Sequence, residues 1–112
     1  MWLCTQLGFF SIVRKEPDTF HIRARCLGDL DALSRTIGLP EPVASFPGSD
    51  YPWRIICDSG DLTRVFALMS SSITYDNFKS AIARHPKQQR KTSAYHDIHH
   101  RMVEWQQQHA PP

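Results

Sequence analysis

Residues 2–26 read "WLCTQLGFFSIVRKEPDTFHIRARC", and this stretch decides the fold. Its second half alternates. Phe20, Ile22, Ala24 and Cys26 point one way, and His21, Arg23 and Arg25 the other, the two-residue period of a strand with one wet face. Its first half, residues 2–15, is apolar and aromatic, with Gly8 in the middle. It reads as one long strand bent or bulged at Gly8. Pro17 and Asp18 punctuate "EPDT" as a turn, so the two strands form a hairpin.

Downstream, Leu30, Leu33 and Ile37 keep helical spacing between a start at Gly28-Asp29, with Asp29 as N-cap, and a stop at Gly38. "LPEPVASFPGSD" follows, and its three prolines predict a surface loop without regular structure. "YPWRIIC" is a third strand, with Pro52 at an edge or a strand start. "DSGDLTRVFALMSSSI" is the clearest helix. Asp58 or Ser59 caps it, and Leu62, Val65, Phe66, Met69 and Ile73 form its apolar stripe. "TYDNFKSAIARH" continues as another helix, "KQQRKTS" is a basic connector, and a last helix runs from about Ser93 to Gln107. The order β-β-α-β-α-α-α predicts an α+β fold: a small antiparallel sheet of three or four strands with helices packed on one face. At 112 residues, one domain over 1–107 with a frayed tail at 108–112 is expected.

The bulk numbers exclude more than they assign. The chain is 41% hydrophobic and 21% charged, with a formal charge of only +2, ordinary for a globular domain. Cys4, Cys26 and Cys57 lack paired spacing, which fits reduced, buried thiols in a cytoplasmic protein and argues against a cysteine zinc site. No stretch has the length of a membrane span, so no membrane partner is expected.

Charge distribution is more informative. His21, Arg23 and Arg25 share one strand face, and Arg54 joins them if the strands pair. That makes a positive face suited to an anion, a nucleic-acid backbone included; salt bridges to neighbouring carboxylates are the alternative use of it. Between Asn77 and Arg101, six basic residues (Lys79, Arg84, Lys87, Arg90, Lys91 and Arg101) stand against Asp97 alone. That leaves +5 there and −3 in the rest of the chain. The segment reads either as a docking surface for nucleic acid or an acidic partner, or as solubility charge on exposed helices. A sheet platform for stacking bases would need aromatic residues on the open face; Phe10 is a candidate, while Trp2, Trp53 and Trp105 read as core or rim.

"AYHDIHH", residues 94–100, raises the question of a metal. At about 100° per residue, Ala94, Tyr95, Ile98, Met102 and Trp105 make the core face of the last helix. His96 and His100 lie opposite, one turn apart, with His99 on the flank. An i,i+4 histidine pair supplies two metal ligands, but a site needs at least three, and no HExxH is present. His96 and His100 are therefore weak metal candidates and fit a polar helix face better. No nucleophile elbow, Gly-rich phosphate loop or carboxylate pair appears, so no catalytic residue or cofactor is assigned, and a metal-dependent enzyme using His96 and His100 stands only as a third functional reading.

Taken in order and near this spacing, "MWLCTQLGFFSIV", "RARCLGDLDAL", "DYPWR", "TYDNFKSAIARH" and "AYHDIHH" resemble a widespread family of short bacterial proteins. Its members begin with Met-Trp and a Gly-Phe-Phe-Ser strand, and end in a helix containing Tyr-His. The matched positions are Asp50, Tyr51, Arg54, Tyr75, Asn77, Phe78, Lys79 and Tyr95. The resemblance implies one compact bacterial domain and no particular chemistry. Members often carry Trp where His99 stands here, which weakens the histidine cluster as a shared metal site. If Arg54, Asn77 and Lys79 converge, they make an anion-receptive spot; alternatively Asn77 caps a helix, Tyr75 and Phe78 anchor its start, and Lys79 pairs with Asp76 or Asp50. Two functional classes follow. One is a small non-enzymatic binding or regulatory domain that meets nucleic acid or an acidic protein surface through its basic C-terminal face, with Arg54 and Lys79 as more specific contacts. The other is a protein-interaction module or inhibitor, a homo-oligomer included.

Overall fold

The computed structural model of the protein describes residues 1–111. They group into two compact units, Met1–Thr74 and Tyr75–Pro112. Of the tail expected over 108–112, Pro112 lies outside the described residues.

The first unit holds the whole sheet. Strands β1 (Trp2–Thr5), β2 (Gly8–Glu16), β3 (Thr19–Ala24), β4 (Val43–Ala44) and β5 (Trp53–Cys57) form one antiparallel sheet in the order β1-β2-β3-β5-β4. Helices α1 (Leu27–Ile37) and α2 (Ser59–Ser71) follow β3 and β5; α1 packs on β2, β3 and β5, and α2 packs on α1 and β3. The α+β class stands, with more strands than expected. Phe10, Ile12, Ile22 and Ile55 on the sheet meet Leu30, Leu33, Val65 and Met69 on the helices in the core. Each such burial contributes roughly 1.5–3 kcal/mol.

The expected long first strand is a hairpin. Residues 5–8 turn back on themselves: the Thr5 hydroxyl donates to the Gly8 carbonyl at 2.8 Å and accepts from the Leu7 and Gly8 amides at 3.1 Å. Gly8 has φ +156°, and a Cβ there would lie 2.5 Å from Cγ of Asp29. The glycine is needed because a buried carboxylate closes over it. Asp29 is accordingly not the N-cap of α1. Cys26 holds that position without a side-chain bond, and Asp29 accepts from the Phe9 amide at 3.4 Å. The turn also sets the register that places Phe10 in the core, 0% exposed, and Phe9 on the other face.

The other boundaries have local causes. Gly38 takes the left-handed conformation (φ 68°) that ends α1. Asp58 and Asp61 form a reciprocal capping box on α2, and Asp18, from the β2–β3 turn, accepts from the Ser59 amide at 2.9 Å. The proline-rich loop is not wholly irregular, because Val43 and Ala44 pair with Arg54 and Trp53 as an edge strand. Pro52 immediately precedes β5.

The second unit is built from α3 (Phe78–Arg84), a 3-10 turn at Gln89–Lys91, and α4 (Thr92–His109). Asn77 caps α3, its side-chain oxygen accepting from the Ser80 amide at 2.9 Å. Tyr75, Phe78 and Tyr95 stack in series, with ring centroids 5.6 and 5.1 Å apart. The expected core stripe of α4 is buried only at Tyr95; Ile98, Met102 and Trp105 are 47%, 58% and 52% exposed. Within this unit α3 has seven residues and α4 eighteen. At the helical rise, about 10 Å of helix is set against about 27 Å, so α3 is too short to line the whole of α4.

Candidate functional site

Side chains directly opposite on paired strands share a face of the sheet. One transverse row therefore runs Trp2, Ser11, Arg23, Arg54, Val43. The next row holds Val13, His21 and Ile56. The core residues occupy the opposite face, so these rows lie on the face that α1 and α2 leave open. Arg23 stands directly opposite Arg54, a like-charge pair that destabilises a sheet when nothing compensates it. Among the described residues, Arg23, Arg25 and Arg54 form no ion pair with a carboxylate.

What compensates it is the loop between β4 and β5. Arg54, 9% exposed, donates from Nε to the Ser45 hydroxyl at 2.8 Å and from Nη2 to the Ser49 hydroxyl at 3.3 Å. Its Nη1 lies 2.9 Å from Nδ1 of His21. A guanidinium has no acceptor, so Nδ1 must accept, the imidazole is neutral, and its proton sits on Nε2. Burial and the positive charges of Arg54, Lys15 and Arg23 hold the His21 pKa below the usual histidine value. Arg54 thus secures the loop, and the Phe46 ring lies 5.9 Å from its Cζ.

Arg23, half-buried, and Arg25 are the other two guanidiniums of this face. Both sit over the Tyr51 ring, their Cζ atoms 4.7 and 4.2 Å from its centroid. Arg23 donates to the buried Ser11 hydroxyl at 2.7 Å, while its Nε is buried with no hydrogen-bond partner among the described residues. Arg25 is exposed. Burial pushes the Tyr51 hydroxyl up. Hydrogen bonds from Arg25 and Ser11 and the charges of Arg25 and Arg23 together outweigh that and hold it below the usual phenol range. An anion arriving here can form charge-assisted hydrogen bonds with guanidiniums that, among the described residues, pair with no carboxylate.

In the second unit, Asn77, Lys79, Ser80, Arg90, Ser93 and His96 line a shallow groove. Arg84 and Lys87 are exposed. Lys91 donates to the Gln88 side chain at 2.8 Å, and Arg101 to Glu104 at 3.3 Å. Asn77 has the capping role, and Lys79 makes no ion pair with Asp76 or Asp50 among the described residues. His96 and His100 stack with centroids 6.4 Å apart, and His100 reaches Glu104 at 3.1 Å. No group of three His, Cys, Asp or Glu among the described residues is placed to hold a metal ion. Of the three cysteines expected to be buried, only Cys57 is; burial and the carboxylates of Asp61 and Asp58 push its thiol up to about 11.

The structure therefore brings together His21, Arg23 and Arg25, which the alternation put on one face, and Arg54, which joins them because β5 pairs with β3. Lys79 and Arg90 share a groove in the second unit. Ser11, Ser45, Ser49, Phe46 and Tyr51 complete the arginine cluster without having been singled out for it. Ser11 was the readable one, since it shares a face with Arg23 once register is known. No family model matches the chain. No curated protein matches it, and no solved structure does.

Proposed function

We propose that the protein is a small non-enzymatic binding domain that takes an anionic partner. One observation carries this reading: an arginine pair directly opposed across β3 and β5, with Arg25 beside it, and no carboxylate among the described residues paired with any of the three. Arg23 and Arg25 supply the specific contact. Lys79, Arg84, Lys87, Arg90, Lys91 and Arg101 of the second unit add long-range attraction. Labelled inorganic polyphosphate, followed by fluorescence anisotropy, tests it. Binding should weaken as salt rises and fall at least about tenfold in an Arg23→Glu/Arg25→Glu variant, each charge-assisted contact contributing on the order of 1.5–3 kcal/mol. Reversal of Arg90 and Lys91 should weaken it less. Undiminished binding by the Arg23/Arg25 variant would sink the reading.

The exposed Ile98, Met102 and Trp105 of α4 favour a second reading, a protein-interaction module that includes self-association. Sedimentation velocity decides it. A mass that rises with concentration and returns to that of one chain in Met102→Glu supports it, and a single-chain mass at all concentrations, with no protein partner retrieved, removes it.

A further inference from the structure

We propose that the helix-free face of the sheet binds single-stranded nucleic acid across the strands, passing over the buried Ser11 and Arg54, with phosphates on the exposed Arg25 and the half-buried Arg23 and bases stacked on Trp2 and Phe46. This rests on the anion-binding reading and names the class of anion.

The row Trp2–Ser11–Arg23–Arg54–Val43 crosses all five strands. Four inter-strand gaps make it about 19 Å wide. Ser11 and Arg54 of this row are buried, 1% and 9% exposed, so its reachable charge is Arg23 with Arg25 beside it, and aromatic rings bracket these. Trp2, on the edge strand β1, is 75% exposed, with the Phe9 ring 6.4 Å away. Phe46, in the loop beyond β4, is 69% exposed. A tryptophan and a phenylalanine so open to water forgo the burial that normally fixes such side chains. Val43 and Ile56, also exposed on this face, extend the apolar part of the surface.

The pattern of cations between exposed rings selects among anions. An acidic peptide satisfies guanidiniums but has no flat π-faces for Trp2 and Phe46. A duplex satisfies them too, but its base faces are hidden in the stack. A single strand presents phosphates and free bases together, and base–aromatic stacking tolerates any sequence. Stacking on exposed rings does not read base edges, so the binding is sequence-tolerant.

The test uses the full chain with fluorescein-labelled oligothymidylate of twelve nucleotides, an abasic oligomer of equal length, the corresponding duplex and polyglutamate. The oligothymidylate should bind at least about tenfold more tightly than the abasic strand, because stacked bases supply part of the affinity. Trp2→Ala and Phe46→Ala should each erase much of that difference and leave abasic binding unchanged. Both side chains are exposed, so an unchanged thermal unfolding midpoint confirms intact folding. Equal binding of abasic and base-bearing strands would overturn the inference while leaving the anion reading in place. So would tighter binding of polyglutamate or of duplex, or normal oligothymidylate binding by both variants. Binding of none of the four overturns both readings.

Discussion

At the scale of the residue, Arg54 connects fold to site. Its bonds to Ser45 and Ser49 hold the β4–β5 loop, and its contact with His21 requires a neutral imidazole. Burial disfavours the charged imidazole of His21 most, and Arg54, Lys15 and Arg23, all positive, disfavour it further. Its folded pKa is therefore depressed below 6.5. As pH falls, the unfolded chain takes up this proton first. The stability His21 contributes is fully present above about 6.5 and is lost as pH drops through the depressed folded value, below which it is constant. Thermal unfolding midpoints of the native chain and His21→Gln, measured from pH 8 to pH 5, isolate this from the other five histidines. The native chain should lose more stability over that range than the variant. Parallel profiles would show that the imidazole titrates alike folded and unfolded.

At the scale of the element, what was legible was local. The alternation from Phe20 to Cys26 put His21, Arg23 and Arg25 on one face; β3 keeps His21 and Arg23 there and ends at Ala24, and Arg25 follows it over the Tyr51 ring. A cap at Asp58 or Ser59, which proves to be Asp58, and the Gly38 stop were readable for the same reason, since each cause lies within four residues of its effect. What was not legible depends on distant residues. Gly8 seemed a bulge because the carboxylate that closes over it, Asp29, is twenty-one positions away. The Thr5–Gly8 turn then decides that Phe10, the candidate for the open face, is core and that Phe9 and Trp2, the latter read as core or rim, face outward. The loop residues Ser45, Phe46 and Ser49 reached the arginine cluster through a two-residue strand too short to show in sequence. The stripe on α4 was periodic as expected, but periodicity says which residues share a face, not whether anything covers that face.

At the scale of the whole molecule, the distribution of apolar burial sets what each unit can do alone. The main core cluster runs from Phe10 to Met69 and lies wholly within Met1–Thr74. It draws on three strands and two helices, enough for a cooperative transition. Among the described residues of the second unit, the buried apolar side chains are Ala81, Ile82 and Tyr95, and a segment of about forty residues rarely stabilises itself without further staples. A chain ending at Thr74 should therefore unfold in one sigmoidal thermal transition by circular dichroism. A peptide of residues 75–112 should show only partial helicity that declines gradually on heating, as marginal isolated helices do. The shorter chain should also retain polyphosphate binding, because Arg23, Arg25 and Tyr51 all belong to it, with lower affinity for want of the basic charges of α3 and α4. A residue 1–74 chain with no cooperative transition would mean that the sheet and its arginine row depend on the second unit for their stability, and the anion site would then be a property of the whole chain.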